Sequence, residues 1–468
     1  MLGRPSTHRS IGRRSVPSLA VLTLLAALVP AGPSRAAVQV VTKATVPYPH
    51  FTTIQDAVNA AAPGDWVLID VGVYPEAVYI TTPKLHIRGM DRNGVIVDGQ
   101  HQVGNGIEVW KTDGVWIENL TVRNFDRATL DGEDGNEIWW NGGDGSGEIG
   151  LNGWYGRYLT TYSDGFLAGY GIFTSNAVNG FWDNIYASGF NDSGIYLGAC
   201  RDCRAKISHA VIENNALGYS GTNSGGHIII EDSTFRNNSS GIGPNSLNND
   251  DQPPPQDGAC NSGLNDSSTP AFLGTRVKRC TIIRRNLIEN NGNLTTPANS
   301  TTASIPWGNG IILIGTYADL VKYNTIQNNP STGLLGLENP DPFPPTPSTV
   351  FFQLSGNKIF GNTFVNNGTP PDPSSADITL AGGLFGTQQS VNNCVSSNTL
   401  TTSSPPDIQV NWACKLSTTP NPGGAALAFI LQKQAESQAR TSVAQPVPPP
   451  QPTMRNPCKN VPKNPLCA

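Results

Sequence analysis

Charge is scarce in this chain: Asp, Glu, Lys and Arg make up 14% of its 468 residues, well under the usual quarter. The formal net charge is −5, and no basic patch follows the first residues, so a nucleic-acid partner is not expected. Long apolar runs are missing as well. The longest, Val16 to Ala31, is too short to cross a bilayer comfortably, so no membrane span is expected. Cysteines number eight, and only Cys200 and Cys203 form a C-x-x-C. A zinc site would want a second such pair, so no metal is expected there and a local disulfide fits better. Low charge does not mean disorder here, because 38% of residues are hydrophobic and 8% aromatic.

Arg4, Arg9, Arg13 and Arg14 lead into the apolar run, and Ser34-Arg35-Ala36 offers a small-x-small cleavage site. Residues 1–36 therefore read as a secretory signal peptide, and the remainder as a soluble extracellular or cell-surface chain. In that compartment disulfides are favoured. Cys260/Cys280 and Cys394/Cys414 share one spacing, and Cys458/Cys467 would close a small loop.

What the chain has in quantity is turn residues: 50 Gly, 37 Pro and 44 Asn. Asn is a poor residue inside helix or strand but tolerates a left-handed bend. It recurs in a phrase: Asn286-Leu-Ile-Glu-Asn-Asn291, Asn324-Thr-Ile-Gln-Asn-Asn329 and Asn362-Thr-Phe-Val-Asn-Asn367. Gly171, Gly194, Gly218 and Gly241 each open an apolar triplet, and they are almost evenly spaced. Such a period of short strands and bends predicts a solenoid. The fold class is all-β, a right-handed parallel β-helix of about 23 residues per coil, spanning residues 37–415. Asparagines at equivalent bends would hydrogen-bond along the stack, which places Asn328 at a buried turn. The amphipathic stretch Phe51–Ala61, with Ile54, Ala57, Val58 and Ala61 on one face and Thr52 or Thr53 as cap, predicts a helix over one end. Residues 416–468 read as a tail: helical composition over Ala425–Ala444, able to cap the other end, then a stiff proline-rich linker from Pro446 and a two-cysteine loop.

Phe51–Asn59, Pro63-Gly64-Asp65, Gly72-Val-Tyr-Pro-Glu76 and Ile96-Val-Asp-Gly99 resemble the opening segment of secreted right-handed β-helix proteins of the pectin-lyase-like class. Gly142–Gly150, Gly194–Cys203 and Leu217–Gly226 resemble actinobacterial members of that class. The likeness covers most of residues 45–415. It implies the fold and leaves the function open, since lyases, esterases, hydrolases, epimerases and non-enzymes share it. Their catalytic signatures are absent. The later aspartate segments of pectin methylesterases are missing, and Asp250-Asp251 and Gly226-His227 are fragments of a polygalacturonase set. Tyr170-Gly171-Ile172 begins an alginate epimerase motif, but Phe173, Thr174 and Ser175 replace its Asp-Pro-His.

Local constellations then supply the candidates. With Ile172 and Ile195 inward, alternation turns Phe173 and Tyr196 outward on neighbouring coils, where flat rings suit a sugar, though aromatics also fill cores. Arg201 and Arg204 would hold an acidic sugar. Arg204 and His227 share one column of the stack, and His209 and Asp232 another. An imidazole beside a carboxylate could serve as acid–base apparatus, or both could sit at stacked bends bonded to backbone. Asp192, His209, His227, Asp232, Asp250 and Asp251 are the candidate catalytic groups. The loops Asp131–Glu137 and Gly142–Ile149 could take calcium, although an acidic flexible loop fits them better. The expected function is binding of an acidic extracellular polysaccharide, with cleavage or epimerisation left open. The alternative is a non-catalytic surface, adhesion or scaffold protein. The sequence leaves the oligomeric state open.

Overall fold

The structure is a computed structural model that describes residues 36–467 except 103, 127–134, 166, 248–278, 299, 342–349, 370–371, 385–389, 415–422 and 425–426. Its strands are short because a bend residue follows every few apolar positions. One coil consists of Ala205–Ser208, Val211–Glu213 and Leu217–Thr222. It stacks in parallel register on Ile228–Glu231, Thr234–Arg236 and Ser240–Asn245. Repetition of this unit makes a parallel β-helix with three strands per coil. Two of the three ribbons join as a 20-stranded set, and the third is an 11-stranded sheet. Coil length is not constant. Ile207 stacks on Ile230 and Ile311 on Leu334 across short coils, whereas longer ones separate Ile283 from Val321 and Ile230 from Ile283. The longer coils carry their extra residues between strands.

The core follows from alternation. Ile107, Ile138, Ile172, Ile195, Tyr219, Ile242, Ile311, Leu334 and Ile378 form one inward column, each fully buried. Each such aliphatic side chain contributes roughly 1.5–3 kcal/mol of burial. Each ribbon of the 20-stranded set is followed by a column of left-handed bends. One runs through Asn119, Tyr158, Asn184, His209, Asp232, Arg285 and Tyr323, all with φ between 51° and 58°. The other includes Asn124, Asn214, Asn237, Asn290, Asn328 and Asn366, all with φ between 53° and 61°.

The repeated phrase is thereby explained, with one correction. Asn328 takes the left-handed bend and is exposed, whereas its neighbour Asn329 is fully buried and forms the rung. Asn215, Asn238, Asn291, Asn329 and Asn367 hydrogen-bond amide to amide along the stack at 2.9–3.1 Å, ending on Asp377. Asn286, Asn324, Asn362 and Asn398 form a second ladder. A bend needs a residue that tolerates positive φ, and the position after it needs a buried donor–acceptor. Asparagine serves both, which is why it comes in pairs.

Helix α1 (Ile54–Ala60) is capped by Thr53 and buries Ile54, Ala57 and Val58 against the first coil. At the other end α2 (Ile408–Asn411) and Trp412 close the core. Helix α3 (Leu427–Gln438) does not cap that end. It lies on the outward side of the 11-stranded sheet, where Phe429 and Ile430 pack against Ile312, Leu335, Leu337 and Ala381. Disulfides join Cys200–Cys203, Cys394–Cys414 and Cys458–Cys467. Cys280 is also disulfide-bonded, while Cys260 lies outside the described residues.

Candidate functional site

On the 11-stranded sheet the residue after each inward isoleucine points outward, and the register lines these residues up. The column reads Tyr79, Glu108, Trp139, Phe173, Tyr196 and Ser220. Trp139 and Phe173 stack face to face at 4.9 Å with an interplanar angle of 6°, and Tyr196 meets Phe173 edge-on at 4.7 Å. Tyr170 packs on Phe173 at 4.6 Å. Trp139 and Phe173 are half-buried, Tyr79 is 48% exposed and Tyr196 only 8%. Tyr196 thus points outward, yet the surrounding rings bury it, so it supports packing as well as surface.

Glu108 interrupts this aromatic column. Asn141 donates to it at 3.0 Å and Asn105 at 3.4 Å, and Asn136 in turn donates to Asn105 at 2.9 Å. Loss of solvent, and then the charge of Glu108, push the Tyr79 phenol above its usual value. The result is a polar notch flanked by aromatic rungs. Tyr79 and Trp139 are two rungs apart, about 9.6 Å. One face of Trp139 is covered by Phe173, and the other is turned toward the Glu108 rung.

On the turn that leads into the same strands, His101 is held by two carboxylates, Asp126 at 2.6 Å and Asp164 at 2.9 Å. Burial alone would lower its pKa, but hydrogen bonds and charge from Asp126 and Asp164 outweigh that and raise it. Both ring nitrogens are engaged by carboxylates, which fixes the imidazole in place. Beside it Arg123 is paired with Asp98 at 2.7 Å and donates to the Tyr162 hydroxyl. Glu137 stands where the flanking rungs carry Gly106 and Gly171, fully buried. Burial, and the charges of Asp126 and Asp98, hold its carboxyl well above the ordinary range despite a bond from the Phe125 N–H.

The residues singled out from the sequence are scattered among different surfaces. Phe173 and Tyr196 share the outward column. Asp192 and Arg201 flank opposite ends of the strand Ser193–Gly198, with Asp192 buried and Arg201 exposed. Arg204 and His227 occupy neighbouring rungs, and both bond Asp202, at 3.0 Å and 2.7 Å. His227 is 1% exposed, and its Nε2 has no partner among the described residues. His209 and Asp232 do share a bend column, yet they are not a pair. His209 bonds Asp183 at 2.7 Å, while Arg285, one rung further along, takes Asp232 through two nitrogens at 2.8 Å each. A guanidinium fork is the stronger carboxylate partner, and so the acid–base pairing imagined for these two does not form. Asp250 and Asp251 lie outside the described residues, as do Asp131 to Asp134 of the first acidic loop. In the second loop the Asp144 carboxylate is taken by Lys111, which draws its pKa down to about 2. A cleft of about 750 Å³ lined by Asp372, Leu400, Asp407 and Gln409 involves none of these groups.

Tyr79, Glu108, His101, Asp126 and Asp164 escaped the sequence reading. Tyr79, Glu108, Trp139 and Phe173 follow one another in register. The sequence intervals between them are unequal, and each is longer than the short coil. A search tuned to one period passes over them.

No family model and no curated protein sequence matches the chain. Solved structures do resemble it in fold. The A-module of the Azotobacter vinelandii mannuronan C-5 epimerase AlgE4 aligns over 75% of this chain and 83% of its own, with 15% identity and a TM-score of 0.43. An alginate lyase from Paenibacillus sp. str. FPU-7 aligns over 67% and 94%, with 14% identity and a TM-score of 0.40. The tailspike of E. coli bacteriophage HK620, solved with a pentasaccharide, aligns over 72% and 55%, with 10% identity and a TM-score of 0.41. Likeness at this level assigns no activity.

Proposed function

We propose that the chain binds an extracellular polysaccharide along the open half of the 11-stranded sheet. The observation that carries this reading is the notch at Glu108, where a carboxylate braced by two amides sits between the exposed Tyr79 ring and the Trp139 face. Sugars present hydroxyls that donate to carboxylates and accept from amides, and C–H faces that pack on aromatic rings. The reading is one of binding. Both His101 nitrogens are engaged by carboxylates, and cleavage or epimerisation is not needed to account for the notch.

A scaffold reading draws on one observation of its own: Trp139 and Phe173 spend their facing surfaces on each other, as stacked rings in a solenoid do for stability. Affinity electrophoresis on pectate, alginate and a neutral glucan separates the two. Binding predicts retardation on at least one of these gels, lost in Glu108→Gln and in Tyr79→Ala with the circular dichroism spectrum unchanged. Identical migration with and without every glycan leaves the scaffold reading.

A further inference from the structure

The segment read from sequence as a proline-rich linker and tail is seated, and its seat is built. Near Thr295 the chain is held by Val443 N–H at 3.2 Å and by the Gln445 side-chain amide at 2.9 Å, both donating to the Thr295 carbonyl. By Gln451 it has reached Asn93, a run that an extended proline-rich strand covers at roughly 3.1 Å per residue.

From there Asn93 grips Gln451 twice, accepting from its N–H at 2.8 Å and donating to its carbonyl at 2.9 Å. Arg92 donates to the Pro452 carbonyl at 3.0 Å through its guanidinium and to the Thr453 hydroxyl at 3.1 Å through its backbone N–H. Asn119 accepts from the Thr453 hydroxyl at 2.9 Å and the Met454 N–H at 2.8 Å. Arg88 donates to the carbonyls of Pro457 and Lys459 at 2.8 and 3.0 Å.

The gripping groups are fixed from beneath. Arg92 is 2% exposed, with its Nε on the Thr160 hydroxyl and another nitrogen on the Leu159 carbonyl. Arg88 is equally buried, paired with Glu118 at 2.7 Å and lying 4.5 Å from the Trp66 ring centroid. Groups held in place before the partner arrives lose little entropy on binding it. Nearly everything they read is backbone, and Thr453 supplies the one side chain. Prolines 452 and 457 favour an extended chain and have no N–H to satisfy.

We propose that Arg88, Arg92, Asn93 and Asn119 form a docking groove for an extended, proline-containing peptide, and that its occupant is the chain's own segment Gln451–Lys459. The segment acts as a strap. It starts from α3 and Thr295 on the high-numbered coils and fastens onto the first ones, so coils that contact only their neighbours in a simple solenoid are linked at a distance. It also contacts Arg88, whose guanidinium lies over Trp66, where a second aromatic row begins: Trp66 stacks on His86 at 4.1 Å, and Trp116 on Tyr155 at 4.4 Å.

The test inserts a protease site between Val447 and Pro448 of the full chain and cuts the folded protein. A docking groove predicts that the released fragment stays with the body through gel filtration at micromolar concentration. A synthetic peptide covering residues 449–467 should displace it. Thr453→Val with Met454→Pro, changes in the strap that cannot unfold the coils, should weaken retention at least tenfold. Loss of the unmodified fragment on dilution, or equal retention of the double variant, overturns the proposal. A dimer-sized species before cutting would put a second copy's segment in the groove and overturn the assignment of its occupant.

Discussion

One outward column of the 11-stranded sheet serves two purposes along its length. In the low-numbered coils it carries Tyr79, Glu108, Trp139, Phe173 and Tyr196, and the first four remain at least partly open to solvent. In the high-numbered coils it carries Ile312 and Leu335, both fully buried under Phe429 and Ile430 of α3. The bend column divides at the same place. The position that holds Asn215, Asn238, Asn291, Asn329 and Asn367 in later coils holds Phe125, Asp164 and Phe190 in earlier ones. The coils that carry the long amide ladder include those beneath α3. The coils before the ladder carry the polar notch and the His101 cluster, whereas the Glu231 cluster with Lys206, Arg284 and Arg285 lies among the ladder coils. Cover by α3, and not coil length, separates the two halves of the column.

The sharpest way to break this contrast is to charge the column in each half. Leu335→Asp places a carboxylate beneath α3 and should cost about 3–5 kcal/mol, whereas Trp139→Asp on the open half should cost about 1–2 kcal/mol. Equal shifts in urea midpoint would show that the two halves do not differ. The ladder offers a finer comparison between adjacent residues. Asn329→Leu strips the acceptor from the Asn291 N–H and side-chain amide and should cost about 3 kcal/mol. Asn328→Leu alters an exposed left-handed bend and should cost about 1 kcal/mol. Reversal of that order would refute the assignment of rung and bend.

Asp319 tests the covered half by pH. It receives the Thr281 N–H at 2.9 Å, and its own N–H bonds Asn357 at 2.9 Å, so an acid occupies an amide rung. Burial pushes its carboxyl up to about 7, with the Thr281 N–H, Arg279 and the Thr281 and Thr316 side chains partly offsetting. A folded-state value above the unfolded one means that ionisation is penalised in the fold. Stability is therefore lost as pH rises from about 4 through about 7. Asp319→Asn should raise stability at pH 8 by up to about 4 kcal/mol, read as a higher thermal midpoint, and leave it nearly unchanged at pH 4. A gain that is the same at both pH values would show that the carboxyl does not titrate in this way.

The smallest stability effect belongs to the open half. Tyr79→Ala, at a side chain 48% exposed, should shift stability by no more than about 0.5 kcal/mol while abolishing retention on the glycan gel. A large loss of stability would make Tyr79 a packing residue and weaken the notch as a binding site.

Strand alternation, paired asparagines, a cap at Thr52 or Thr53 and the buried face of Ile54, Ala57 and Val58 were legible in the sequence, because each rests on contacts between positions at a fixed short spacing, and the structure chose Thr53. So was the outward direction of Phe173 and Tyr196, which alternation alone requires. Register across irregular coils was not legible. Loops of different length lie between Tyr79, Glu108 and Trp139, and only stacking reveals that they are neighbours. Which carboxylate His209 meets depended likewise on Arg285, far beyond Asp232 in the chain, being one rung away. The seat of the strap is the extreme case: Asn93 and Gln451 lie near opposite ends of the chain, and neither carries any local sign of the other. The sequence by itself determined which residues bend, which turn inward and which turn out. The tertiary structure decided which outward residues share a surface, because that depends on the length of every loop between them.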